Sequence, residues 1–190
     1  IGLYKVELAS ENKIEILDYY SAKNFDKKYY AEYELAYAKV YAALGDFENS
    51  LVHAKNAYEK SSPEKKQLKQ KAFYYYCLGL YSTGKSKQAI SLIEKSKENS
   101  DADSKYFFEQ KILYARCLAE NGNLESAGKI YKNFFEKSQL NNEQKYDYAK
   151  ILFSLGNMNE CKKVADSSSV SDAVYISALA SFNMQDWKTS

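Results

Sequence analysis

Proline occurs once and glycine seven times in these 190 residues. So few chain breakers argue against a turn-rich β fold and for long helices. Histidine occurs once, at His53, without a serine or cysteine partner, so neither a hydrolytic triad nor a multi-histidine metal site is available. His53 reads as a packing or surface residue. The three cysteines are odd in number and widely spaced, which fits neither a disulfide framework nor a zinc site. They read as buried free thiols. No run approaches the roughly 18 to 20 apolar residues that a membrane helix needs. The glycines fall singly, so no phosphate-cradling loop is present. A basic excess is also missing: 27 Lys plus Arg face 25 Asp plus Glu, a net charge of +2. That argues against a dedicated nucleic-acid binder. No signal peptide is visible, and because the chain starts at Ile1 rather than Met, targeting is not judged from the sequence.

What is present suits a folded soluble domain. The chain is 45% hydrophobic and 27% charged, against the composition expected of disorder. Tyrosine, at 19 residues, is the most unusual count. A ring with a polar tip can pack a core and still tolerate a wet edge, which suits a thin two-layer structure.

The chain repeats itself. Leu44-Gly45-Asp46-Phe47, Asn121-Gly122-Asn123-Leu124 and Leu155-Gly156-Asn157-Met158 each stand between two helical patterns. Thr83-Gly84-Lys85-Ser86 fits the same place, Gln185-Asp186-Trp187 fits without the glycine, and Asn12-Lys13-Ile14 fits weakly. Anchors at 12, 45, 84, 122, 156 and 185 are spaced by 33, 39, 38, 34 and 29 residues. Seven before the anchor stand Ala38, Cys77, Ala115, Ala149 and Ala178, all small. Five after stand Leu17, Ser50, Ala89, Ala127, Cys161 and Ser190, mostly small. Four before stand Leu8, Tyr41, Leu80, Leu118 and Leu152. Two after stand Ile14, Phe47, Leu124, Met158 and Trp187, with Ser86 the exception. Small residues on two successive helices let them approach closely, and the large ones fill the gaps beside them. Independently, Lys55-Asn56-Ala57-Tyr58-Glu59-Lys60-Ser61 recurs as Lys132-Asn133-Phe134-Phe135-Glu136-Lys137-Ser138. That offset, 77 residues, is the one separating Gly45 from Gly122.

Helical signals frame each pair. Tyr30, Tyr33, Tyr37 and Tyr41 lie on one helix face. Ser62-Pro63-Glu64 reads as an N-cap with Pro at the first turn, and Asp46, Asp101, Asn142 and Ser171 read as further N-caps. Gly45, Gly84, Gly122 and Gly156 close the preceding helices, where a left-handed backbone favours glycine. First helices are expected at about 27–44, 63–83, 102–121, 142–155 and 171–183. Second helices are expected at about 13–23, 47–60, 86–98, 124–138 and 158–167. No segment alternates long enough to compete as a strand.

These columns resemble the tetratricopeptide repeat, a helix–turn–helix unit with a 34-residue period. The turn at 44–47, with Ala38 before it and Ala57 after it, is closest to that motif. The resemblance covers nearly the whole chain. It implies an all-α solenoid, a right-handed α-α superhelix of about five hairpins, truncated at both ends. The units are expected at about 1–25, 26–61, 62–99, 100–139, 140–169 and, in part, 170–190, in one domain spanning 1–190. Two units are longer than the family period, and Lys5 stands where the first unit needs a small residue, so that unit is degenerate or a cap. The last unit stops just inside its second helix, where a solenoid ordinarily closes with a cap.

The resemblance further implies a concave groove lined by first helices, with ligand-facing positions ten, six and three before the anchor. Six before stand Lys39, Leu78, Arg116 and Lys150. Ten before stand Leu35, Tyr74, Ile112 and Tyr146. Three before stand Ala42, Tyr81, Ala119 and Phe153. Lys39, Arg116 and Lys150 would take carboxylates of a bound peptide, and Tyr74, Tyr81, Tyr146 and Phe153 would pack its side chains or backbone. The same cations also read as ordinary solvated charges of a helix face, offset by Glu32, Glu109, Glu120 and Glu143. Both readings stand at this point. The Asn of the family's carboxylate-clamp subtype is missing six before each anchor, so no clamp is implied.

Scattered acids around Glu94, Glu98, Asp101 and Asp103 read as a solvated turn, and Ser167-Ser168-Ser169 as a loop between units. The expectation is a scaffold or adaptor, not an enzyme, with no metal or cofactor. Its partner is a protein or peptide, acidic if the basic groove is used, and not nucleic acid. Two alternatives are a sensor or regulatory domain of a larger signalling or envelope-assembly protein, and a structural module that pairs with a second copy through its open last unit. A soluble protein of the cytoplasm or a bacterial periplasm fits all three.

Overall fold

The computed structural model describes residues 29–96 and 106–184, and no strand occurs among them. The helices are α1 (Tyr30–Ala43), α2 (Phe47–Lys60), α3 (Lys66–Ser82), α4 (Ser86–Lys95), α5 (Phe107–Glu120), α6 (Leu124–Glu136), α7 (Asn142–Ser154), α8 (Met158–Asp166) and α9 (Ser171–Met184). Packing divides the chain into two units, Ile1–Leu113 and Tyr114–Ser190, with the division inside α5.

The four hairpin corners are built alike. Gly45, Gly84, Gly122 and Gly156 have φ of 79°, 72°, 82° and 76°, a region that costs glycine little and other residues more. Each glycine N–H donates to the carbonyl three residues back, on Ala42, Tyr81, Ala119 and Phe153. The following N–H donates five residues back, to Tyr41, Leu80, Leu118 and Leu152, at 2.8 to 3.0 Å. This double bond pattern is a Schellman motif, and it satisfies carbonyls that the helix end would otherwise leave bare. The residue that completes it also starts the next helix. Asp46 accepts from the Asn49 N–H at 3.1 Å, and Asn123 accepts from the Ser126 N–H at 3.3 Å. One residue thus closes one helix with its backbone N–H and caps its successor with its side chain.

The two small-residue columns are buried, and in two hairpins a hydrogen bond joins them. Ala38, Cys77, Ala115 and Ala149 are fully buried, and so are Ala89, Ala127 and Cys161, with Ser50 at 1% exposure. Ser50 Oγ donates to the Ala38 carbonyl at 2.8 Å, and Cys161 Sγ donates to the Ala149 carbonyl at 3.3 Å. Both bonds span twelve residues, the separation of the two columns. In each case the polar group of a small side chain is satisfied by the helix it touches.

Hairpins stack within each unit. In the first, Leu35 of α1, Ala57 of α2 and Ala72 of α3 share one cluster, edged by Tyr58, Leu68 and Tyr75. Gly79 of α3 lies against α2 so closely that a Cβ there would sit 2.9 Å from Leu51 Cα. In the second unit, Tyr131 of α6 and Tyr148 of α7 stack with centroids 5.8 Å apart and planes 9° from parallel.

Several expectations are corrected. Ser62 does not cap α3: its carbonyl accepts from the Lys65 N–H in a separate turn, and the helix begins at Lys66. The cap of α7 is Asn141 rather than Asn142, because Asn141 and Gln144 form a reciprocal capping box. Ser171 is the first residue of α9, not its cap. The helix expected over 86–98 ends at Lys95, where Ser96 turns extended. In α9 the small residue facing inward is Ala180, fully buried, whereas Ala178 is exposed. The small residue expected at 178 therefore does not face the core, where Ala173 and Ala180 do. The expected elements and residues at 1–28, 97–105 and 185–190, including Asp101, the helix over 13–23 and the turn at Trp187, lie outside the described residues.

The two helical glycines test this packing with opposite signs. Helix propensity alone favours Gly→Ala by about 1 kcal/mol. At Gly128 a Cβ would meet Ile151 Cγ2 at an ordinary 3.5 Å, so Gly128→Ala is expected to raise thermal stability. At Gly79 the contact falls on the Leu51 backbone, and Gly79→Ala is expected to destabilise by about 1–3 kcal/mol. Urea melts of the two variants check both.

Candidate functional site

In the first unit, Lys39 on α1 and Tyr74, Leu78 and Tyr81 on α3 are half-buried. Tyr74 packs edge-on to Tyr75, with centroids 5.3 Å apart, and tilts toward Tyr106 at 5.9 Å. In the second unit, Arg116 on α5 and Tyr146 and Phe153 on α7 are half-buried, and Lys150 is exposed. The column ten before the anchor is split. Leu35 and Ile112 are 4% and 2% exposed and belong to the core, whereas Tyr74 and Tyr146 keep part of their rings at the surface.

The structure brings three of the expected residues together around a fourth, Asp147. Arg116 Nε and Nη2 both donate to Asp147 Oδ2, at 2.9 and 2.8 Å. Lys150 Nζ lies 2.8 Å from Oδ1, and the same ammonium stands 4.5 Å over the Tyr146 ring. Both carboxylate oxygens are thus engaged by cations. Arg116 is the only arginine in the chain. Burial works against its charge, but the adjacent Asp147 carboxylate, with the Tyr131 side chain, more than offsets this and holds its pKa above the ordinary arginine value. Asp147 stands one turn before Lys150, a pairing visible from helical spacing. Its bond to Arg116, 31 residues away, follows only from the packing of α5 and α7.

A second polar cluster lies in the first unit, between α1 and α2. Glu34, 9% exposed, accepts from His53 Nδ1 and Asn56 Nδ2, each at 3.0 Å. Since a carboxylate only accepts, the imidazole carries a proton on Nδ1. The His53 ring lies flat on Tyr37 and Tyr41, with centroids 4.9 and 5.4 Å away. His53 is therefore a half-buried packing residue that also pins the α1–α2 hairpin through a carboxylate. Glu34 carried no signal in the repeat columns, because a buried acid breaks the apolar pattern instead of extending it.

The remaining chemistry is limited. All three cysteines are free and buried. Burial pushes the Cys117 thiol up to about 12 and raises that of Cys161 as well, which leaves little thiolate for nucleophilic attack. Among the described residues no three His, Cys, Asp or Glu side chains gather to hold a metal ion, and no helix is long and apolar enough to cross a membrane.

No protein-family model matches the chain, and no curated protein matches it. Among solved structures, one of RapI in its apo form superposes with a TM-score of 0.68 over 90% of this chain, at 13% sequence identity. The chain is similar in fold to RapI. It spans 66% of the RapI chain. At so low an identity the likeness to RapI shows the architecture, an all-helical repeat fold, and assigns no residue of this chain a role.

The Glu34 cluster predicts a pH dependence. Burial raises the Glu34 pKa, but the hydrogen bonds from His53 and Asn56 outweigh it, so the carboxyl sits below its ordinary 4.5. Its stabilising share is complete above that unfolded value and is lost as the pH falls through the lower folded one. Glu34→Gln is expected to cost about 1–3 kcal/mol near neutral pH. The gap from wild type should shrink below about pH 4, as denaturant melts across pH will read.

Proposed function

We propose that this chain is a tetratricopeptide-like scaffold that binds a segment of a partner protein on the faces of its first helices. The Arg116–Asp147–Lys150–Tyr146 constellation carries this reading. It sets two cations and an aromatic ring side by side at the partly exposed face of α5 and α7, a composition common where proteins meet. Directly beside it, Ala115 and Ala149 are fully buried, so adjacent residues of one helix divide between core and ligand-facing duty. In the first unit Lys39, Tyr74 and Tyr81 stand at the equivalent repeat positions and play the same part.

The partner on this reading is a peptide or protein segment bearing carboxylates and apolar side chains. Nothing in the chemistry of the face calls for a covalent step, so binding is the function. Affinity capture from a cell lysate, with partners quantified by mass spectrometry, tests it. The comparison is a variant carrying Lys39→Glu, Arg116→Gln and Lys150→Glu, in which Gln at 116 avoids a second carboxylate against Asp147. With helical content retained, the specific partners are expected to fall at least tenfold, the scale of losing two or three charge pairs. Unchanged capture would overturn the assignment of this face.

A second reading, self-association, is favoured by α9. One side of that helix buries Ala173, Ile176, Ser177 and Ala180, while Val174 and Tyr175 remain 69% and 67% exposed. A helix apolar on both sides is suited to burial on both. Light scattering against concentration is expected to show a dimer that Val174→Glu with Tyr175→Glu abolishes. A monomer at every concentration would dismiss it.

A further inference from the structure

We infer that Asp147 is the specificity-determining residue of the α5–α7 face: it occupies the place of a ligand carboxylate and sets how acidic a ligand must be to bind. This rests on the binding role proposed above for that face. The geometry is that of an occupied anion site. Arg116 gives two donors to Oδ2, at 2.9 and 2.8 Å, and Lys150 gives one to Oδ1, at 2.8 Å. A bound acid would seek those same donors, because charge-assisted bonds to a guanidinium and an ammonium are the strongest polar contacts on this face. With Asp147 in place, the three side chains carry a net charge of +1 rather than +2.

The consequence is a threshold. A ligand with one carboxylate meets two cations and one fixed anion, so its attraction is offset by the repulsion of Asp147. A ligand with several carboxylates engages the donors left over. Lys150 keeps two of its three N–H groups beyond the one that Asp147 takes, and Arg116 divides its donors between Asp147 and the Tyr131 side chain. Asp147 is half-buried, with 21% of its side chain exposed, against 36% for Arg116 and 48% for Lys150. The anion is therefore screened less by water than the outer cation, and its repulsion survives at the surface. Because Asp147 acts through the two cations, it is a positioning residue. A merely structural salt bridge would leave ligand choice unchanged when its charge is removed.

The experiment uses fluorescein-labelled hexaglutamate, with hexaglutamine as the neutral control, and reads anisotropy at low salt. Asp147→Asn removes the charge and keeps an acceptor oxygen. It is expected to bind hexaglutamate about tenfold more tightly than wild type, the effect of deleting one opposing charge. Hexaglutamine binding should not move. Asp147→Glu should restore the wild-type affinity, and Arg116→Gln added to Asp147→Asn should erase the gain. In the free protein, the Arg116 Nε–H resonance should exchange slowly with solvent in wild type and broaden in Asp147→Asn. The inference is overturned if Asp147→Asn binds hexaglutamate no more tightly than wild type, including the case in which neither binds. It is overturned equally if the gain persists without Arg116. Should Asp147→Asn fail to fold, Asp147→Glu and Arg116→Gln in the wild-type background decide it. Affinity for hexaglutamate unchanged by Arg116→Gln would overturn it. Loss of the binding role itself is a separate result, read from captured partners that ignore the three changed cations.

Discussion

Close approach of paired helices at small side chains is the constraint on which the rest of this structure depends. Ser50 bonds to Ala38 and Cys161 to Ala149, and Cys77, Ala89, Ala115 and Ala127 of the same columns are buried completely. Larger residues at these positions would push the backbones apart, and the interior, packed as densely as an organic crystal, has no slack to absorb that. The corner glycines serve the same end. A left-handed residue followed by a capping residue reverses the chain within two positions, so both helices of a pair start in register.

That constraint also sets what the surface can do. When residues seven before the corner are committed to the core, those one position later are turned outward. Arg116 follows Ala115 and Lys150 follows Ala149, so the repeat places cations at matching heights on neighbouring helices. Two like charges so placed would repel, and Asp147 between them removes most of that cost. The same carboxylate then decides what else the face can accept. Packing and recognition thus meet in a single residue, with the tightly buried columns dictating the position and the electrostatics dictating the identity.

Much of the fold was legible because its signals are local. Glycine at the corners, alanine, cysteine or serine at two fixed offsets, and leucine four before three of the four corners are read along the chain. The helix limits follow to within a few residues. The caps were less legible, because Asn141 and Asn142 are equivalent as residue types and only the reciprocal bond with Gln144 chooses between them. The inward residue of α9 was misplaced, because Ala173, Ala178 and Ala180 are equally small and only the packing chooses between them. At the candidate site the cations were legible from their column, but Glu34 and Asp147 were not. Each acid matters through a bond to a residue on another helix, and such pairings appear only once the helices are packed.

The corners carry one more implication. Asp46, Lys85, Asn123 and Asn157 each belong to the end of one helix and the start of the next, which leaves no spare residue between them. Variation in unit length has to be taken up elsewhere, by the helices or by the connections between hairpins. The 17-residue α3 shows the first route, and the stretch from Ser167 to Val170 ahead of α9 shows the second. A hairpin here behaves as a rigid cassette, and evolutionary insertions or grafted loops belong between cassettes rather than at their bends.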